Sequence, residues 1–231
     1  KYMYMPNNSL KKLLSPEDYQ TLKKYFKENM KGMGTNGMSI EMMDNMKPLI
    51  VQQMLIANKY MEVLNKKNGE SKTPLNPTMG MGAMGEGLDG YVQLEAIRQK
   101  KEVAGLETLE DQAEALFNMY PLEKQAQMLM EAVRNEKSGS DAELTNLHEI
   151  YEAQDIDKLF EVATQNMTTT EMDALLTNRN NKWMPQLEKM LAGKKHVFVA
   201  VGAGHLAGKI GILTQLRAKG YTIKPVAIQL K

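Results

Sequence analysis

The chain has 231 residues, which is enough for one large domain or two small ones. Its 29 basic and 28 acidic residues leave a formal net charge of +1, which excludes a strong overall field for nucleic acid or an anionic membrane surface. Cysteine is absent, so disulfides, thiolate metal sites and a cysteine nucleophile are excluded, and no apolar run approaches the roughly 20 residues that span a bilayer.

The first part of the chain, residues 1–67, is predicted to be helical. Ser15, Pro16 and two following acids form a strong helix start, because serine caps free N–H groups and acids face the positive end of the helix dipole. A longer helix is predicted over 48–67. The next segment, 68–87, is rich in glycine and proline and is predicted to be a loop, with a linker between domains as the alternative.

Residues 88–231 are predicted to form an α/β core with a large helical insertion. The apolar, β-branched runs at 195–201 and 222–228 are typical of strands, and 206–219 between them has a helical pattern. A strand, a helix and a strand in this order build parallel sheet. The predicted fold class is therefore α/β, with a central sheet that contains this parallel C-terminal strand–helix–strand unit.

The glycine-rich turn after the first of these strands has two interpretations. Gly202, Gly204 and Gly208 could form a dinucleotide-binding turn, where backbone N–H groups approach a pyrophosphate. The next predicted strand ends in lysine and proline, however, and not in an acid that could hold a ribose. The favoured interpretation is a turn that presents His205 from the end of a strand, as a metal ligand or general base. A helix-capping or hydrogen-bonded structural histidine is the alternative.

The whole C-terminal segment resembles the TraB/GumN family, which includes PrgY and the Tiki Wnt-cleaving metalloproteases. The family signature there is a strand, a G-x-x-H turn and an amphipathic helix that ends in a glycine–tyrosine pair before a last strand. The corresponding stretches of this chain are 197–201, 202–205, 206–217 and Gly220-Tyr221. Three further stretches also resemble the family: a turn and helix start within 5–17, a helix, strand and acid within 87–112, and an arginine motif at Arg179, Asn180 and Trp183.

The resemblance implies a site made of two G-x-x-H turns, one glutamate and one arginine, which binds a divalent metal ion in the hydrolytic members. Its elements correspond here to Glu107, Arg179 and His205, with Gly202 and Gly204 as turn glycines. His205 and Glu107 are the implied ligands of a manganese, cobalt or zinc ion, whose bound water would become nucleophilic while the arginine stabilises an oxyanion. Taken singly, Glu107 could equally be a surface or helix-capping acid, and Arg179 a solvated helix residue.

The family's first G-x-x-H turn is missing, since no histidine precedes His148. We expect that the chain is a single domain over 1–231 that lacks its N-terminal strands, and a pseudoenzyme with the same scaffold is the alternative explanation. With one histidine of the expected pair, the chain should bind a divalent ion weakly and not hydrolyse alone. His148 and His196 have no motif around them and are interpreted as structural.

The leading hypothesis is a metal-dependent hydrolase-like protein of the TraB/GumN type, with a peptidase as the specific candidate and a peptide or small molecule as substrate. The competing hypothesis is a non-catalytic binding or regulatory protein that uses the same cleft. The resemblance implies an exported protein of the cell envelope or periplasm. Composition predicts no nucleic-acid partner and no membrane span.

Overall fold

The computed structural model describes residues 2–30, 39–68, 88–135, 141–193 and 195–226. In these ranges the chain is helical, and its only β pairing is one isolated antiparallel bridge between Tyr4 and Met46. The helices are α1 (Leu10–Leu13), α2 (Pro16–Asn29), α3 (Pro48–Asn68), α4 (Leu88–Arg98), α5 (Leu109–Phe117), α6 (Leu122–Arg134), α7 (Asp141–Glu152), α8 (Ile156–Thr164), α9 (Thr169–Met172), α10 (Asn178–Leu191) and α11 (Ile212–Ala218). Short 3₁₀ turns lie at Ile40–Met43 and Ala203–His205, and a π-helical segment lies at Asp173–Thr177.

The predicted α/β fold is therefore wrong for the described residues. The expected strand at 195–201 has no sheet partner there, and its side chains at Val197, Phe198 and Val199 are exposed, Phe198 by 80%. Residues 221–226 likewise form no strand, and the end of the second expected strand lies outside the described residues. The physical reason is that β-branched and aromatic residues favour an extended backbone, whereas a strand also needs a neighbour for its N–H and C=O groups.

The helix start predicted at Ser15 is confirmed. The Ser15 side chain accepts a hydrogen bond from the Asp18 backbone N–H, and Pro16 occupies the first helical position, where no N–H is needed. One face of α2 then buries Tyr19, Leu22 and Phe26. Local capping chemistry thus determines where this helix begins, and its apolar face determines how it packs.

The chain divides into two compact units, Lys1–Asn146 and Leu147–Lys231. In the first unit, α3 packs against α6, and α6 also contacts α1 and α2. Their apolar faces form one core, whose buried members are Met5, Leu10, Leu14, Tyr19, Leu22, Phe26, Met30, Ile40, Met43, Val51, Leu55, Ala126, Leu129, Met130 and Val133. The methionines in this core act as flexible apolar fillers.

In the second unit, α10 buries Asn180, Trp183, Met184 and Leu187, and α8 packs against the 3₁₀ turn Ala203–His205. The helix predicted over 206–219 begins only at Ile212.

The reason for this late start lies in two glycines. Gly208 has a φ of +74°, which is a left-handed conformation that ends any right-handed helix, and Gly211 occupies the cap position before Ile212. A Cβ at Gly208 would lie 2.4 Å from the Phe160 ring, and one at Gly211 would lie 2.2 Å from the Ala207 carbonyl oxygen.

The predicted loop at 68–87 lies outside the described residues, apart from Asn68 at the end of α3. The domain boundaries predicted from the sequence stay predictions. Among the helices that the structure describes, none combines the length and the apolar character needed to cross a membrane.

Candidate functional site

The G-x-x-H segment forms one tight turn. The His205 backbone N–H donates to the Gly202 carbonyl over 2.9 Å, and the Leu206 N–H donates to the Ala203 carbonyl over 3.0 Å. A Cβ at Gly202 or Gly204 would make only ordinary contacts of 3.7 Å, to His205 and Leu176 respectively. The two predicted turn glycines are therefore not required for space in this structure.

His205 is buried, with 6% of its surface exposed, and its ring is held by Asn180 of α10. The distance from His205 Nδ1 to Asn180 Oδ1 is 2.7 Å. The Asn180 amide nitrogen donates to the carbonyls of Ile210 at 2.9 Å and of His205 at 3.4 Å, which assigns its two terminal atoms. Asn180 Oδ1 must therefore accept a hydrogen from Nδ1, and in the neutral ring Nε2 carries the lone pair.

Two further side chains of the α10 region complete the group that we call the His205 cluster: Arg179, Asn180, Trp183 and His205. The Trp183 and His205 ring centroids are 4.5 Å apart at an interplanar angle of 44°. The Arg179 guanidinium carbon lies 5.0 Å from the Trp183 ring centroid, and its Nη1 donates to the Leu175 carbonyl over 3.0 Å. The structure thus brings a cation and an imidazole onto one indole ring.

The backbone before α10 explains how one helix presents three of these side chains. Asp173–Thr177 is π-helical, and a π turn contains an extra residue that rotates the helix face following it. Such segments are frequent at functional sites. Arg179, Asn180 and Trp183 follow at spacings of three and four residues, which places them on one face.

Glu107 lies in the first unit, and Arg179 and His205 lie in the second. Glu107 is half-buried and comes directly before Thr108, which is the N-cap of α5. Thr108 forms a capping box with Asp111. The structure therefore brings Arg179 and His205 together through Trp183. That Glu107 joins them stays a prediction.

The residues that the structure describes do not complete a metal site. Among the described residues there is no group of three or more histidine, cysteine, aspartate or glutamate side chains that could hold an ion. A catalytic metal site in a protein usually has about three protein ligands. Within the His205 cluster the imidazole is one nitrogen donor, so a divalent ion bound to it would need further ligands from outside the cluster.

The two remaining histidines lie apart from the cluster's residues in sequence and have ordinary surroundings. His148 Nε2 is 3.4 Å from Glu152 Oε1, one helical turn further along α7. His196 is exposed in the extended segment before the turn.

Two open clefts lie on the first unit, and neither Glu107, Arg179 nor His205 lines them. The first, of about 720 Å³, is lined by Tyr4, Met5, Pro6, Asn7, Asn8, Ser9, Lys12, Asp44 and Asn45, which include the small-residue turn of the predicted family motif. The second, of about 700 Å³, contains Lys47, Glu114 and Asn118. Burial lowers the pKa of Lys47, and the nearby Glu114 partly opposes this change.

Sequence reasoning missed two features of the structure, one in the His205 cluster and one in the second cleft of the first unit. It treated Asn180 and Trp183 only as parts of a motif, whereas the structure shows that they hold and cover the His205 ring. Their spacing from Arg179 on a predicted helix could have indicated a shared face. No pattern in the sequence indicated that Lys47 would be buried.

No curated protein and no solved structure matches the chain at a significant level. The model of the TraB/PrgY/gumN family matches residues 1–225, which include the G-x-x-H turn, Arg179 and Glu107. This match covers nearly the whole chain and agrees with the resemblance carried by the C-terminal signature. The chain therefore belongs to the TraB/PrgY/gumN family.

Proposed function

We propose that the chain is a hydrolase-like member of its family, with a peptidase as the specific candidate, and that the His205 cluster is part of its active site. The observation that carries the proposal is the fixed orientation of a buried histidine whose ring lies against the same tryptophan as an arginine. Asn180 holds His205 Nδ1 at 2.7 Å, and Trp183 joins the imidazole to Arg179.

The chemistry of this arrangement suits hydrolysis of a carbonyl substrate. With Nδ1 protonated and bound to Asn180, Nε2 of the neutral ring can accept a proton from water. The guanidinium of Arg179 carries a positive charge, so it can stabilise negative charge that develops on the substrate oxygen. Arg179 is half-buried, so fewer water dipoles screen its charge than at an exposed position, which strengthens its attraction for a developing oxyanion.

The divalent ion that the resemblance implies has no complete ligand set among the described residues. Manganese, cobalt or zinc stays part of the proposal as the alternative use of the Nε2 lone pair: His205, and Glu107 if it converges, would then be ligands of the ion, and His205 would not act as the general base. The exported location stays a proposal on the resemblance alone.

A non-catalytic binding or regulatory role is the second candidate, and the composition of the His205 cluster favours it. A cation, an oriented imidazole and an indole ring can hold a ligand without a chemical step.

The two candidates differ in metal binding and turnover. We would titrate the 231-residue chain, and the chain extended by any residues that its gene encodes before Lys1, with manganese, cobalt and zinc by calorimetry. A generic peptide-cleavage assay would be run on the same samples. The hydrolase proposal expects weak metal binding by the shorter chain, and both binding and cleavage by a longer chain that contains a second G-x-x-H turn.

His205→Ala is the decisive variant, and His196→Ala is its matched control because His196 is exposed and lies outside the cluster. Loss of cleavage by His205→Ala, with cleavage retained by His196→Ala and both variants folded by circular dichroism, would support the proposal. Absence of cleavage from every form of the chain would favour the binding role, and equal cleavage by His205→Ala would exclude His205 from the chemistry.

A further inference from the structure

The Trp183 side chain carries a buried polar atom without a partner. Trp183 is 4% exposed, and among the described residues its Nε1 has no hydrogen-bond partner. Buried N–H groups in folded proteins are nearly always satisfied by protein, water or ligand, so an unpartnered one calls for an explanation. The indole N–H can only donate, so whatever satisfies it must be an acceptor.

The unpartnered donor belongs to the same cluster as the proposed active site. Its ring lies against His205, with 4.5 Å between the centroids, and the Arg179 guanidinium carbon is 5.0 Å from the same ring. Arg179 precedes Trp183 by four residues on one helix face. A ligand oxygen here would meet a positive charge and a neutral N–H donor together, a combination that favours anionic oxygen over an ammonium group.

We propose that the Trp183 indole N–H, together with Arg179, binds an anionic oxygen of the ligand, as a carboxylate or as the tetrahedral oxyanion of a hydrolytic reaction. This inference rests on the proposed function and names the ligand class of that site. It makes Trp183 a ligand-binding residue, in addition to its packing against His205. The indole N–H adds a donor of fixed direction to the positive charge of Arg179.

The chain offers a direct readout, because Trp183 is its single tryptophan. In a ¹H–¹⁵N NMR spectrum of the ¹⁵N-labelled 231-residue chain, one indole N–H signal reports on this atom. We would titrate the chain with inorganic phosphate as a tetrahedral probe and with acetate as a carboxylate probe. Potassium chloride at the same ionic strength controls for screening.

The expected result is a saturable downfield shift of the indole proton with phosphate or acetate, and little shift with chloride. Arg179→Met should weaken the phosphate-induced shift by at least about tenfold in affinity, since it removes the charge. Trp183→Phe keeps a ring but removes the N–H, so phosphate binding measured by calorimetry should fall by about ten- to a hundredfold. Wild-type titration needs no variant to fold, so the inference remains testable if Trp183→Phe does not.

An indole signal that neither phosphate nor acetate moves, or that chloride moves equally, would overturn the inference and indicate that the N–H serves packing or a structural water. This outcome is separable from failure of the proposed function. A chain that cleaves peptides while its indole signal stays unmoved retains the hydrolase proposal and loses this one. A chain that never cleaves but shows the saturable shift retains an anion site in a binding protein.

Discussion

The Nδ1 atom of His205 lies 2.7 Å from the Oδ1 atom of Asn180, and this contact joins the G-x-x-H turn to α10 across 25 residues of sequence. Asn180 is fully buried, and its amide nitrogen also bonds the Ile210 carbonyl on the far side of the turn. One amide therefore holds both the imidazole and the loop that follows it. The orientation of His205 depends on this residue.

Asn180→Ala should lower the free energy of unfolding by about 1–3 kcal/mol, because it leaves His205 Nδ1 without its buried partner, while the Ile210 carbonyl keeps its hydrogen bond from Gln215 Nε2. Urea denaturation measures this loss.

Asn180→Asp keeps an acceptor for Nδ1 but removes the donor to Ile210, so its ¹⁵N NMR spectrum should retain the Nδ1–H tautomer of His205. The exposed Asn181→Ala serves as control and should change stability by less than about 0.5 kcal/mol. A wild-type-like stability of Asn180→Ala would contradict the geometry.

Gly208→Ala tests why the helix after the G-x-x-H turn starts late. Gly208 has a φ of +74°, and its Cβ would lie 2.4 Å from the Phe160 ring, so the variant should lose about 2–4 kcal/mol through combined backbone strain and overpacking. Gly220→Ala is a matched control, because Gly220 has a φ of +91° and nothing lies within 4 Å of its Cβ position. It isolates the strain and should lose only about 1 kcal/mol. Equal losses of unfolding free energy in both variants would mean that the Phe160 ring moves away from the new methyl group without destabilising the fold.

Features with local causes could be predicted from the sequence. The start of α2 follows from Ser15 and Pro16 alone, since capping involves atoms within one helical turn. Family membership could also be predicted, because the G-x-x-H turn and the glycine–tyrosine pair lie within one short segment of the chain, 202–221. Both predictions depend on residues that are neighbours in sequence.

Features that depend on distant partners could not be predicted in the same way. The 195–201 run has strand composition, yet whether it pairs is decided by another segment, and Phe198 is 80% exposed in the structure. The hydrogen bond between Asn180 and His205 likewise spans segments that no local pattern relates. The predicted α/β fold is wrong for this reason: the residue types of a segment indicate an extended backbone, but they do not determine whether another segment pairs with it.

Glu41 and Lys23 provide a pH-dependent test in the first unit. The hydrogen bond from the Lys23 ammonium lowers the pKa of Glu41 from 4.5 to about 2. Because the folded pKa lies below the unfolded value, the stability contributed by Glu41 is present above pH 4.5 and is lost as the pH falls towards 2. The stability difference between wild type and Glu41→Gln should therefore shrink over this window in urea denaturation. A stability difference that does not vary with pH would show that the pair between Lys23 and Glu41 is broken in solution. Glu28→Gln, at an exposed position of α2, serves as the control.

Lys47 tests whether a buried ammonium is held at a cost to stability. Its side chain is buried, its ammonium donates to Asn118 Oδ1, and burial lowers its pKa from 10.5 despite the nearby Glu114. Because the folded pKa lies below the unfolded one, the unfolded chain binds more protons just below pH 10.5, so stability from this group rises with pH there.

Lys47→Met removes this charge while it keeps an apolar stem of similar length, so we expect the variant to match or exceed the wild-type stability at pH 7. Asn118 is exposed, so water can replace the lost donor. The stability advantage of the variant should narrow as the pH approaches 10.5, and urea denaturation of both proteins at each pH measures the difference.

Two controls apply to this comparison. Burial raises the pKa of Tyr19, but its titration contributes equally to both proteins and cancels in the stability difference between them. Lys24→Met, at an exposed position of α2, should give a curve parallel to the wild type. A Lys47→Met variant that is less stable at pH 7, with no change in the difference at alkaline pH, would show that the Asn118 bond outweighs the cost of burying the ammonium.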